Sequence, residues 1–173
     1  MKPSLLGWLL HWVSAILTLF LLLTSLGSAY ALLPRPFSSI WMGLHLSAGT
    51  FLLILTVIRI ALGILRGHFG TPRGWITRSI ALRNFLLILV FVTAFIGLLL
   101  YQRPPLGKIS YLFVIFPMPT VLRLDHGWHN FAIGVHIGLA CLLLILIIVH
   151  AAAGVKHEGI TGRARLSEMI WPW

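Results

Sequence analysis

Four long apolar stretches dominate the chain, each set off from the next by a short polar segment carrying proline or glycine. They cover about residues 5–33, 40–65, 80–101 and 131–155, the last reaching back to 129 if its polar mouth is counted. The separators hold Pro34-Arg35-Pro36, Gly67 to Gly74, and Pro104-Pro105. About 20 helical residues cross the hydrocarbon of a bilayer, and each stretch is long enough. Backbone amides in hydrocarbon must be satisfied within their own segment, and the strict alternation of a barrel strand is missing, so the stretches predict helices. The first stretch ends in Ala29-Tyr30-Ala31, which looks like a signal cleavage site. It is far longer than the roughly 7–15 residues of a signal h-region, and it contains a histidine, so it is read as a retained span. The expected fold is all-α: an integral membrane four-helix bundle, one domain over residues 1–173. Within the linker after the third span, residues 111–116 are apolar but too few to cross, and are expected to lie in the membrane interface.

Composition agrees with the pattern and removes alternatives. Apolar residues make up 59% of the 173 and charged residues 9%, against roughly 45–50% and about 25% in soluble chains. So few charges cannot clothe a water-facing surface, and so many apolar residues exclude a disordered chain. The single cysteine, Cys141, excludes an internal disulfide, a thiolate zinc cluster, an iron–sulfur cluster and c-type haem attachment.

A net charge of +10 would suggest nucleic acid in a soluble protein. Here its placement along the chain points to lipid and topology instead, and no nucleic-acid partner is expected. Lys2, Arg66, Arg73, Arg78, Arg83, Lys156, Arg163 and Arg165 fall on one side of the predicted spans; Arg35, Arg103, Lys108 and Arg123 fall on the other. Positive charge collects on the cytoplasmic side, which puts both termini there and the long third linker outside. Arg59 is left within the second span.

Histidines carry the chemistry. His68 and His157 fall in cytoplasmic segments, while His11, His45, His136 and His150 fall inside the spans. An ionisable group in hydrocarbon is costly and marks a functional site by default; a neutral imidazole bonded to a neighbouring helix is the plain alternative. Depth favours function. His11 and His150 lie about two turns from the inner ends of their spans, and His45 and His136 are similarly placed at the outer ends. His136 and His150 are fourteen residues apart, about 21 Å along one face of a helix. One helix therefore offers an imidazole at each of two levels, with a partner from the first span at the inner level and from the second at the outer. That arrangement suits two haems, each held through both axial positions. Zinc would want more ligands per level than two histidines supply. With both axial positions filled such a group carries electrons rather than binding gas. Arg59, fourteen residues after His45, shares its face and suits a haem propionate, or snorkels to the headgroups. His129, seven residues before His136, is an alternative ligand, a proton relay, or a water contact beside His126.

These residues resemble those of the bacterial four-helix di-haem cytochrome b561 family over most of the chain. His11-Trp12, Met42 to Gly49 around His45, Val57-Ile58-Arg59, Gly107 to Ser110, Val135 to Ala140 around His136, and His150 to Ala153 are similar to its motifs. The resemblance implies two non-covalent b haems, the bacterial inner membrane, and electron exchange with the quinone pool, with ubiquinone as partner. It also implies a possible role as a superoxide oxidase, for which the basic outer linker (Arg103, Lys108, Arg123) could steer a small anion. The alternatives are a haem-bearing membrane anchor docked to a redox partner subunit of a dehydrogenase- or hydrogenase-type complex, and a non-haem transporter or assembly protein. No nicotinamide, flavin or iron–sulfur motif is present, so electrons come from outside the chain.

Overall fold

A computed structural model describes residues 4–29, 37–66, 75–101, 111–112, 116–117 and 126–161. Four helices make up nearly all of it: α1 (Leu5–Ala29), α2 (Phe37–Leu65), α3 (Trp75–Tyr101) and α4 (His126–Thr161). Ser4 starts α1: its Oγ accepts the Gly7 N–H at 3.2 Å and its carbonyl accepts the Trp8 N–H at 2.9 Å, which satisfies amides that a helix start leaves orphaned. Each helix contains a stretch apolar and long enough to cross a membrane: Leu5–Ser25, Ile40–Leu65, Ala81–Leu100 and Gly127–Lys156. The fold is thus an all-α membrane bundle.

Helices extend past the apolar stretches at several ends. α3 begins at Trp75, ahead of the expected start near residue 80, and α4 runs from His126 to Thr161. At 36 residues, α4 is about 54 Å long and overshoots a hydrocarbon core of roughly 30 Å. Hydropathy marks where hydrocarbon stops, whereas the hydrogen-bond ladder continues into the headgroup layer. The linker expected at the interface carries two short paired strands. β1 (Tyr111–Leu112) and β2 (Phe116–Pro117) are antiparallel, with Tyr111 opposite Pro117 and Leu112 opposite Phe116. Pro117 has no N–H to donate, which limits the ladder there. Residues 113–115 lie outside the described residues.

Close packing follows chain order: α1 on α2, α2 on α3, α3 on α4, with β1 against α2. The interior is made of small hydroxyls and a few leucines. Ser14, Thr18, Thr24, Ser47, Thr56 and Thr93 are buried, with Leu46, Leu52, Leu89 and Leu143, while large apolar side chains such as Ile16, Leu23, Ile54 and Ile145 face outward. Small residues let membrane helices approach closely, and lipid solvates the large ones. Each hydroxyl has to be satisfied without water. Ser14, Thr18, Ser47, Thr56 and Thr93 do so by donating to the carbonyl one turn back, that of Leu10, Ser14, Gly43, Leu52 and Leu89 respectively, at 2.6–2.9 Å.

Thr56 is 1% exposed and Ile16 is 62% exposed. Thr56→Leu is therefore expected to overpack the bundle by about 1–3 kcal/mol, and Ile16→Leu to change stability by less than about 0.5 kcal/mol. Thermal unfolding of both variants in the same detergent checks the difference.

Candidate functional site

The four intramembrane histidines meet in two pairs. His11 of α1 faces His150 of α4, ring centres 6.5 Å apart and planes 57° apart. His45 of α2 faces His136 of α4 at 6.4 Å and 78°. Fourteen residues of α4 separate the levels by about 21 Å. Of His136 and its alternative His129, it is His136 whose ring faces His45; the His129 Nδ1 is buried with no hydrogen-bond partner among the described residues. His126 begins α4. His68 and the basic linker residues Arg103, Lys108 and Arg123 lie outside the described residues.

The His45–His136 pair is held from behind. The Leu21 carbonyl can only accept, so the Thr24 hydroxyl donates to it at 3.0 Å. The Thr24 oxygen is then placed to receive the His45 Nδ1–H, 2.9 Å away. On the other side the Thr93 carbonyl accepts from His136 Nδ1 at 3.0 Å, while the Thr93 hydroxyl is turned to Leu89. A neutral imidazole that donates from Nδ1 keeps its lone pair on Nε2. Gly97 lets α3 lie against the His136 ring: a Cβ there would sit 2.8 Å from Cε1.

At the His11–His150 pair the His11 ring packs edge-on to Trp12, centres 5.5 Å apart. Arg59 of α2 is partly buried and lies within electrostatic reach of His11 and of Arg83 on α3. Arg83 donates to the Asn84 side-chain oxygen from Nε at 3.4 Å and Nη2 at 3.3 Å. The chain has three acidic residues, Asp125, Glu158 and Glu168, so no carboxylate of α1, α2 or α3 can balance these guanidinium groups.

Thr24, Thr93 and Gly97 were not singled out by the sequence. Their types are those of ordinary packing residues. A threonine or glycine in an apolar helix becomes informative only when its neighbour on another helix is known.

The donor set decides what the pairs can hold. Among the described residues no three His, Cys, Asp or Glu side chains gather in metal-binding reach, so each level offers two imidazoles. A tetrahedral zinc centre wants four ligands; a porphyrin brings four nitrogens and asks the protein for the axial two. With a metal–imidazole bond of about 2.0 Å and nitrogen about 1.1 Å from the ring centre, two imidazoles on one metal stand about 6 Å apart, centre to centre. The observed spacings match this. Gly43, Gly134 and Gly138, near the ligand positions, have no atom within 4 Å of where a Cβ would stand, so the helix surface is flat and open there.

Residues 4–172 match the family model of prokaryotic cytochrome b561. The chain belongs to that family. Comparison with individual curated protein sequences gives no match. The cytochrome is a multi-pass bacterial membrane protein that carries electrons, and haem b is the cofactor its family implies.

Because the His136 ring is pinned by Thr93, it cannot retreat from a methyl at position 97. In Gly97→Ala the ring is expected to shift, at a cost of about 1–3 kcal/mol, and the affinity of the His45–His136 level for haem to fall. Gly49→Ala, whose Cβ would meet Leu21 Cδ2 at an ordinary 3.8 Å, is expected to retain full haem content. Haem-to-protein ratio after extended washing distinguishes the two.

Proposed function

We propose that the cytochrome moves electrons across the membrane through two bis-histidine b haems, one held by His11 and His150 and the other by His45 and His136. The observation that carries this reading is the two imidazole pairs, 6.5 and 6.4 Å apart, one at each level of one helix. Bound there, each haem iron supplies one-electron chemistry between its ferric and ferrous states. The residues supply the rest. Two imidazoles holding one haem at each level would leave its iron closed to oxygen or substrate, so electrons would enter and leave through the edges of the site. Arg59 supplies a cation at the inner level where α1, α2 and α3 have no carboxylate, and a haem propionate is the anion that suits it. Trp12 shields the His11 ring on its edge.

The exchange partner is the quinone pool, with ubiquinone as acceptor. Two superoxide anions arriving at the outer face give two O2 and two electrons, which with two protons reduce one quinone to quinol. Arg103, Lys108 and Arg123 in the third linker would draw in the anion, an attraction that added salt weakens. The excess of Lys and Arg on the side that holds the second linker together with both terminal segments, eight against four, supports a cytoplasmic location for both termini.

Purified wild-type protein is expected to hold two extractable b haems per chain. His150→Ala should lose the inner one and keep the outer, halving the reduced-minus-oxidised absorbance. A colourless protein from haem-replete cells, or a variant with both haems unchanged, would refute the ligand pairing. Ubiquinone reduction driven by a superoxide source, slowed as ionic strength rises, tests the outer partner; no superoxide-dependent reduction removes that part alone.

A further inference from the structure

The two levels are supported differently, and the difference lies in Thr24. This residue is buried on α1, at 3% exposure, thirteen residues after His11 and so about 20 Å further along the same helix. Ser14, Thr18, Thr56 and Thr93 turn their hydroxyls back onto carbonyls of their own helix. Thr24 does this toward Leu21 and also reaches α2, at His45 Nδ1. Satisfying its own hydroxyl does not require the second bond. The Leu21 carbonyl lies on the same side of the imidazole, so the Nδ1–H is held between that carbonyl and the Thr24 oxygen, which together select the tautomer with the lone pair on Nε2 and fix the ring about its long axis. Thr24 is suited to this because its branched Cβ restricts χ1 and the Leu21 carbonyl fixes where its proton points.

We infer that Thr24 is a positioning residue for the outer redox centre, acting through His45 to set the plane of that imidazole and the reduction potential of the group it ligates. The inference rests on the proposed haem ligation by His45 and His136. A histidine whose far N–H is held by an acceptor is a stronger donor to its metal, and stronger donation favours the oxidised metal and lowers its potential. α1 then serves both levels, with a ligand at one and an orienting hydroxyl at the other. The His45 and His136 planes are 78° apart, and nearly perpendicular axial imidazoles give a low-spin ferric EPR signal of high anisotropy. The same hydroxyl that tunes the potential therefore maintains that signal.

The test compares full-length wild-type protein with Thr24→Val, Thr24→Ser and Thr18→Val in detergent. Valine keeps the shape of threonine without the hydroxyl, serine keeps the hydroxyl, and Thr18 is a buried threonine of the same helix that hydrogen-bonds within it. Haem content, midpoint potentials and EPR are read for each, the outer centre being the one that His45→Ala removes. Expected for Thr24→Val is a raised outer potential, an altered anisotropic signal and a haem affinity at that level lower by about 10- to 100-fold, with the inner centre unchanged. Thr24→Ser should restore all three, and Thr18→Val should leave all three alone. Loss of the outer haem in the valine variant with retention in the serine variant supports the same role. Equal loss in both, an equal shift in Thr18→Val, or unchanged potential and EPR in Thr24→Val overturns it. A wild-type protein without haem overturns the ligation reading instead, and that result is obtained before any variant is compared.

Discussion

A polar group in hydrocarbon has no water to turn to, and every polar side chain inside this bundle is placed under that constraint. The buried serines and threonines meet it locally, on carbonyls of their own helices. An imidazole is too large for that solution and must be received by another helix. The four histidines are received in pairs across α4, and the close packing of the remaining helices, α1 on α2, α2 on α3 and α3 on α4, determines where the pairs fall. α4 packs closely on α3 and presents rings to α1 and α2, so the contacts that span the bundle are the ones on which the proposed chemistry rests.

The two levels satisfy the same need by different means. The His45 and His136 rings are anchored through Nδ1 to a hydroxyl of α1 and a carbonyl of α3, which makes that level a collar of contributions from all four helices. The His11–His150 level has an aromatic edge from Trp12 and a cation from Arg59. A neutral hydrogen-bond acceptor behind a ligand and a positive charge beside one act on a redox centre in opposite senses: the first favours the oxidised form, the second the reduced form. If each histidine pair holds a haem, as proposed, the two centres would differ in potential despite having the same ligand types.

Much of this was legible along the chain. Runs of some 20 or more apolar residues can be little other than membrane helices, and the fourteen-residue interval between His136 and His150 is four turns of one helix, so two levels were readable before any fold was known. The family resemblance rested on the same histidine motifs. The hairpin at Tyr111 and Phe116 was not readable, because two paired residues leave no periodicity. The ends of α3 and α4 were not readable either, because helices continue beyond the hydrophobic boundary. Thr24, Thr93 and Gly97 escaped notice because their residue types are common in every membrane helix.

The sequence by itself determined the number of spans, their helical state and the axial spacing of the histidines, because each of these is a property of one segment and its solvent. Only the tertiary structure decided that His11 meets His150, that His45 meets His136, and that Thr24 reaches across from α1 to the back of His45. Those facts belong to pairs of helices, and the energy of a contact between two segments is not encoded in the periodicity of either.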